Sequence, residues 1–287
     1  MKRFLLILSF LFASLSAMAT GQEPDIVYID GQRWWLLGRP VGADSVLYYS
    51  VINSLPKDYC ESSANWDGFT VYWTIVDDQL VLDSIKYLDP EHCKETVLSY
   101  SVVRKVFGKQ IIDGRIVANW LTGTIRLAPA KSTQIFYEHM GFLRNYETEL
   151  FLDVDKGLIV DRKQYNNHIV KEGFCFDYRK SAAVDSLRTQ FARYCKKYSE
   201  LDSVDRLAFE VVDLDVDSLG VLRDIRKVVL YRPNLDEASP LRVRLEQDFR
   251  DFLIAIYPWR AWCINGRYCT LYRSFVIPIA LRKDKDS

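Results

Sequence analysis

Residues 207–230 read LAFEVVDLDVDSLGVLRDIRKVVL, and this stretch decides the fold of the C-terminal part of the chain. Residues 207–216 have the apolar and polar spacing of a β-strand with a solvated acidic end. Residues 218–220 (SLG) are typical of a turn, and residues 221–230 predict a second strand. The stretch therefore predicts two antiparallel strands joined by a turn.

A helix and a third strand are predicted after this pair. Ser239 can cap the helix, Pro240 suits its first position, and Pro258 ends it. Its apolar stripe consists of Leu241, Leu245, Phe249, Phe252, Leu253 and Ile256. The final strand is indicated by the alternating residues Phe275, Ile277, Ile279 and Leu281. This β-β-α-β order predicts a small sheet with one helix over one face.

This order resembles the C-terminal domain of TonB-type energy transducers, and the likeness covers residues 200–282. It is carried by residues 209–212 (FEVV), 217–221 (DSLGV), 257–261 (YPWRA), 265–267 (NGR) and 275–279 (FVIPI). They are similar to the family's first strand, its turn into the second strand, its proline–tryptophan helix exit, its asparagine–glycine turn and its closing strand. The resemblance implies a periplasmic module that binds protein, by lending or accepting a β-strand at a sheet edge.

The start of the chain differs from the family's transducers, which keep an N-terminal membrane helix and a proline-rich spacer. Residues 1–19 have the features of a secretory signal peptide: two basic residues, an apolar run over residues 4–15 and a small-x-small end at 17–19. The apolar run is about twelve residues long, whereas a spanning helix needs about twenty. We expect a mature chain of residues 20–287 that is periplasmic or secreted and has no transmembrane segment. An uncleaved anchor is the alternative.

All six cysteines lie after this segment, and an even number in an exported chain indicates disulfides. Six cysteines allow fifteen connectivities. The nearest-neighbour scheme is Cys60–Cys93, Cys175–Cys195 and Cys263–Cys269. The last pair is the most favoured, because the turn signal Asn265-Gly266 lies between its members. A metal site is not expected, since there is no CxxC spacing and the histidines (His92, His139 and His168) are scattered.

Residues 20–178 predict an antiparallel β-rich domain, either a sandwich or a barrel-like domain. The predicted hairpins are Asp25–Ile29 with 32–37, Phe69–Val76 with 80–87, 111–112 with 115–120, and 147–153 with 158–165. Further strands are predicted at 45–51 and 123–127, and no helix of three turns is expected. The domain resembles only uncharacterised modules of exported bacterial proteins, with VANWLTG at 117–123 as its most distinctive piece.

The predicted fold class is therefore α+β, with two domains. An amphipathic helix over 182–199 is expected to occupy the connecting segment 179–200, between the β-rich domain and a TonB-C-like domain at 201–283. Its apolar side consists of Val184, Leu187, Phe191 and Tyr194.

Candidate binding residues are mainly aromatic: Trp34, Trp35, Tyr72, Trp73, Trp259, Phe275 and Ile277. Adjacent rings on a strand point to opposite faces, so one ring of Trp34-Trp35 leaves the core unless both faces are covered. An outward tryptophan can stack on a sugar or anchor a protein partner. A well-filled core is the other interpretation of these aromatic residues.

Composition and motifs favour a binding protein over an enzyme. Lys+Arg and Asp+Glu both number 38, which argues against nucleic acid as the partner. The sequence has no P-loop, no dinucleotide glycine pattern and no G-x-S-x-G elbow, so we expect no cofactor and no catalytic residue. We predict a non-enzymatic exported protein that acts through protein–protein contact. The alternatives are a secreted hydrolase or carbohydrate-binding protein with its site in the β-rich domain, or a protective or inhibitor protein.

Overall fold

The structure of the protein, a computed structural model, describes residues 21–60, 62–137, 141–176, 181–271 and 274–282. The predicted signal peptide and His139 lie outside these residues. The chain is mixed α and β, with several antiparallel sheets. Its contacts divide it into two compact units, residues 1–166 and 167–287. None of the helices in the described residues combines the length and the apolar character needed to cross a bilayer.

The described residues of the N-terminal unit form twelve strands and two short α-helices. These are β1 (Asp25–Ile29), β2 (Gln32–Leu36), α1 (Ser45–Ile52), β3 (Phe69–Val76), β4 (Gln79–Leu88), β5 (Glu95–Val97), α2 (Tyr100–Val106), β6 (Ile111–Ile112), β7 (Arg115–Val117), β8 (Gly123–Pro129), β9 (Gln134–Tyr137), β10 (Arg144–Tyr146), β11 (Thr148–Asp155) and β12 (Leu158–Asn166).

Ten of these strands form one sheet in the order β12-β11-β8-β2-β1-β3-β4-β7-β6, with β5 also paired to β4. A bridge between Leu158 of β12 and Gln79 of β4 closes the strands from β12 to β4 into a ring. The expected antiparallel pairing holds except between β1 and β3, which are parallel. The two strands are parallel because the chain crosses over through α1 before it returns to the free side of β1.

Tight turns of two residues set the register of this sheet. The four turns are Asp30-Gly31, Asp77-Asp78, Asp113-Gly114 and Lys156-Gly157, and φ is positive at both positions of each. A hairpin with this turn geometry matches the twist of its strands. The predicted hairpins are therefore confirmed.

Residues 45–51 form helix α1 instead of the predicted strand. One carboxylate oxygen of Asp44 accepts hydrogen bonds from the backbone N–H of Val46 (2.8 Å) and of Leu47 (3.0 Å), which caps the helix. Leu47 and Val51, one helical turn apart, are both buried. The apolar residues of this segment thus fit a helical period, and the cap decides in favour of the helix.

The C-terminal unit contains two three-stranded sheets and two helices in its described residues. Its elements are β13 (His168–Lys171), α3 (Ala182–Tyr194), β14 (Arg206–Val216), β15 (Leu222–Arg232), α4 (Pro240–Ile254), β16 (Ala261–Ile264), β17 (Arg267–Cys269) and β18 (Ser274–Ala280). One sheet has the antiparallel order β15-β14-β18 and the other the order β13-β16-β17. The predicted β-β-α-β order is present, with the hairpin β16–β17 inserted before the last strand.

Three phenylalanines join the helices to the sheet of β14. Phe209 of β14 stacks on Phe249 of α4, with 4.2 Å between ring centroids. Phe191 of α3 packs edge-on against Phe249 at 4.7 Å. Since Val184, Leu187 and Phe191 are all buried in this core, α3 belongs to the C-terminal unit and does not form a separate connecting segment.

The segment Pro258-Trp259 passes between two glycines. The backbone N–H of Phe174 donates to the Pro258 carbonyl (2.8 Å), and the N–H of Trp259 donates to the Gly220 carbonyl (2.8 Å). A Cβ on Gly173 would lie 2.3 Å from the Pro258 oxygen, and one on Gly220, whose φ is +78°, would lie 2.5 Å from the Trp259 oxygen. Both positions therefore require glycine.

Of the three predicted disulfides, Cys60–Cys93 is present. The bond predicted between Cys175 and Cys195 is not formed. Cys195 is buried in the core at the end of α3, where it packs as a small apolar side chain. Burial raises the pKa of the Cys195 thiol to about 12, with a further contribution from the carboxylate of Asp248.

The bond predicted between Cys263 and Cys269 is also not formed. The predicted Asn265-Gly266 turn is present, with positive φ at both residues. Cys263 lies opposite Tyr268, however, and Cys269 lies opposite Trp262. Because successive residues of a strand point to opposite faces, the two sulfurs lie on opposite faces of the hairpin.

Candidate functional site

The predicted aromatic residues of the N-terminal unit lie on the two faces of one sheet. Trp34 and Trp73 both lie opposite Val27 of β1 and pack into the main core. Trp35 and Tyr72 lie opposite Ile26 and therefore face the other way.

All four rings are wholly or partly covered by neighbouring residues. Tyr72 and Trp73 are buried, and Trp34 and Trp35 are half-buried. Trp35 packs against the small cluster of Leu37, Ala128 and Tyr146, and the Arg33 guanidinium lies 4.5 Å from the centre of its ring. The four rings therefore offer no continuous contact surface, which corrects the expectation for Tyr72 and Trp73 in particular.

The predicted residues of the C-terminal unit are also core residues. Trp259, Phe275 and Ile277 are each at most 2 % exposed. The Trp259 Nε1 donates to the Leu253 carbonyl at 3.2 Å, and the Phe275 ring stacks on Phe176 at 4.2 Å. They hold β18 and the Pro258 segment in place, and a partner cannot reach them on the folded surface.

The outward residues of β18 are the ones that sequence reasoning missed. Residues Ser274, Val276, Pro278 and Ala280 are exposed, alternating with the buried Phe275, Ile277 and Ile279. Val276 is 42 % exposed. The signal was available, because the alternation that buries one set of residues must turn the other set outwards.

β18 lies at one edge of its sheet. It pairs with β14 on one side, from Arg206 opposite Ala280 to Val212 opposite Ser274. On its other side, the described residues provide no backbone hydrogen bond to it. An edge of this kind leaves N–H and C=O groups that can pair with another strand.

The opposite edge, β15, is closed by side chains of α4. A carboxylate oxygen of Glu246 accepts a hydrogen bond from the backbone N–H of Leu230 (2.8 Å). The Arg250 guanidinium donates to the carbonyl oxygen of Ile225 and pairs with Asp224. These contacts use backbone groups of β15 that a further strand would need, so the two edges of the sheet differ.

A groove of about 470 Å³ runs beside β18. It lies between α3 and the end of the strand and is lined by Asp185, Arg188, Thr189, Arg206, Pro278 and Ala280. The side chains of Arg188 and Thr189 bond to Asp185 within α3 and not to β18. The helix therefore borders the open edge without occupying its hydrogen-bonding groups.

The N-terminal unit contains a buried network of charges. Arg39 pairs with Asp25 (2.5 Å) and Asp67 (2.8 Å), and Trp73 donates to Asp25 at 3.1 Å. Burial raises the pKa of Asp25, and the charge of Arg39 opposes this shift. Burial, and the hydrogen bond to Asp67, raise the pKa of Tyr48 to about 12.

This network is structural in character. The Asp25 side chain is fully buried, and both carboxylates are held by the same guanidinium. A general acid or base must reach a substrate, and the burial of Asp25 and its pairing with Arg39 both prevent this. Within the described ranges, no group of three or more His, Cys, Asp or Glu side chains is placed to hold a metal ion.

No family model matches the sequence, no curated protein matches it, and no solved structure matches the fold.

Proposed function

We propose that this is an exported, non-enzymatic protein that acts by binding another protein, and that the partner adds a strand to β18. The observation that carries the proposal is the difference between the two sheet edges. β15 is closed by Glu246 and Arg250, whereas β18 has no backbone partner on its outer side within the described residues. Natural sheets usually block their edges, so an edge left open beside a blocked one favours a binding role.

The residues around β18 support strand addition. Val276 and Pro278 offer apolar contacts next to the open edge, and cross-strand neighbours of this kind stabilise an added strand by about 0.2–1 kcal/mol each. The adjoining groove leaves room beside the strand. This arrangement is in keeping with the proposed similarity of residues 200–282 to the TonB C-terminal module.

Export is the second part of the proposal. It rests on the signal-peptide pattern of residues 1–19 and on the Cys60–Cys93 disulfide, since disulfides persist mainly in oxidising compartments. We therefore propose that the protein acts in the periplasm or outside the cell.

The test is capture of partners by residues 20–287 from the native envelope. We expect the wild-type chain to retain a specific protein and Val276→Lys to lose it, because a lysine next to the open edge disfavours strand addition. Val243→Lys is the matched control, since Val243 is an equally apolar residue that is 54 % exposed on α4 of the same unit. Retention of no protein by the wild type, or equal retention by Val276→Lys, would overturn the proposal.

A further inference from the structure

Two arginines are brought to the same face of the C-terminal sheet by a β-bulge. Phe209 of β14 lies opposite Leu230, but Ala208 lies opposite Arg232, so Tyr231 is an extra residue on β15. Without it, Arg232 would share the buried face of Leu230. The bulge turns Arg232 to the face of Ala208 and Arg206, and bulges commonly re-aim a side chain in this way.

Arg206 and Arg232 line one cavity of about 690 Å³, together with a third arginine. The third arginine is Arg242, and the remaining lining residues are Val229, Leu230, Tyr231, Pro233 and Asn234. The Arg242 Nε donates to Glu246 and its Nη1 to the Leu235 carbonyl, whereas its Nη2 has no hydrogen-bond partner among the described residues. The volume is within the usual range of ligand sites, about 300–1,000 Å³.

Neither Arg206 nor Arg232 has a carboxylate within ion-pair distance among the described residues. Most other arginines of the unit do, namely Arg188, Arg223, Arg226, Arg242, Arg244, Arg250, Arg260 and Arg282. Arg206 and Arg232 are both exposed, so an anion that enters the cavity meets two guanidinium groups that are not paired with a carboxylate of the described residues.

The chemistry of that anion follows from the number of guanidinium groups. A single carboxylate offers two oxygens, enough for one bidentate arginine. A phosphate monoester offers three terminal oxygens and a charge of about −1.5 to −2 at neutral pH, which suits three guanidiniums at once. The exposed ring of Tyr231 can pack against whatever group carries the phosphate.

We propose that Arg206, Arg232 and Arg242 form a binding site for a phosphate monoester. The proposal does not rest on strand addition at β18 and concerns a different ligand, although Arg206 also lines the groove beside β18. The same chemistry can come from a soluble phosphate ester or from a lipid headgroup, and the experiment separates the two sources.

The experiment is calorimetric titration of the purified protein with phenyl phosphate, and with benzoate for comparison. We expect saturable binding of phenyl phosphate, at least tenfold weaker binding of benzoate, and a loss of at least tenfold in affinity in Arg206→Gln and in Arg232→Gln. Arg267→Gln, which removes an exposed arginine of the same unit outside the cavity, should leave the affinity unchanged.

A second arm uses phosphatidylcholine vesicles with and without phosphatidic acid. Binding to the phosphatidic acid vesicles that both cavity variants abolish assigns the site to a headgroup, and binding of phenyl phosphate alone assigns it to a soluble ester. The proposal is overturned if neither probe binds saturably, if benzoate binds as tightly as phenyl phosphate, or if Arg206→Gln and Arg232→Gln bind like Arg267→Gln.

Discussion

Arg39 is the residue that compensates the buried acid of the N-terminal unit. Its guanidinium lies between Asp25, which has no exposed side-chain surface, and Asp67. It also donates to the side-chain oxygen of Asn65, and that side chain in turn donates to Thr70. One guanidinium thus fixes the approach of several separate segments to β1.

Replacement of Arg39 by methionine should cost about 3–5 kcal/mol of unfolding free energy at pH 7, because it removes the cation that pairs with the buried carboxyl group of Asp25. Urea denaturation measures the loss. The control is Arg115→Met, whose exposed pair with Asp77 should be worth about 0–1 kcal/mol.

The unfolding free energy lost in Arg39→Met should become smaller as the pH falls from 7 towards 4. Burial already raises the pKa of Asp25, and removal of Arg39 takes away a charge that lowers it. A carboxyl group whose pKa is raised by folding binds its proton more tightly in the folded state, so acidification favours folding of the variant. A loss below about 1 kcal/mol at pH 7, or one that grows on acidification, would contradict this assignment.

Single residues also show where sequence patterns stop being informative. Gly220 is predictable as a turn residue from the sequence of 218–220. Its second task, leaving space for the Trp259 carbonyl, depends on a segment almost forty positions away. The role of Gly173 depends on the same segment, which is more than eighty positions from it. Such close approaches are set by tertiary packing and leave no local pattern.

At the scale of single elements, helix α4 covers β15, one of the two edge strands of the sheet that contains β14. Glu246 and Arg250, one turn apart on the helix, both reach the backbone of β15. Their spacing places them on one side of the helix, next to the apolar stripe that packs against the sheet.

Removal of this cover should make β15 available for pairing. We expect Glu246→Ala/Arg250→Ala to associate in a concentration-dependent way, which light scattering measures, because its backbone groups lose their partners. The control is Arg244→Ala/Gln247→Ala, since these side chains bond to Glu200 and Asp251 and not to β15. A double variant that stays as monodisperse as this control would show that the cover is unnecessary.

Elements with a strong local turn signal were predictable, and elements decided by tertiary contacts were not. The hairpin β1–β2 follows from Asp30-Gly31, whereas α1 was predicted as a strand because its β-branched and aromatic residues favour that state. The Asp44 cap and the burial of Leu47 and Val51 outweigh that preference. For β18, the sequence predicted the strand and its buried residues, but the open edge depends on which strands pair.

At the scale of the whole molecule, the C-terminal unit begins earlier than the family resemblance indicates. β13 pairs with β16, so that His168 lies opposite Cys263. The core also contains Phe176 and the buried side of α3. Pairing between segments so far apart in sequence cannot be deduced from local periodicity, and for this reason the predicted boundary at 201 omits part of the core.

A fragment of residues 167–287 should therefore unfold cooperatively in urea, whereas residues 201–287 should not. The shorter fragment lacks the rings that cover Phe249 and Phe275, namely Phe191 and Phe176. Circular dichroism and binding of an apolar dye measure the difference. Equal midpoints of unfolding for the two fragments would contradict this boundary.

The blocked edge β15 also determines how many partners the sheet can accept. A sheet that is open on both sides can add strands without limit, which leads to fibres. With β15 closed and β18 open, strand addition ends after one event, whether the added strand comes from another protein or from a second copy of this chain. Complexes formed through this sheet are therefore expected to contain two chains and to terminate there.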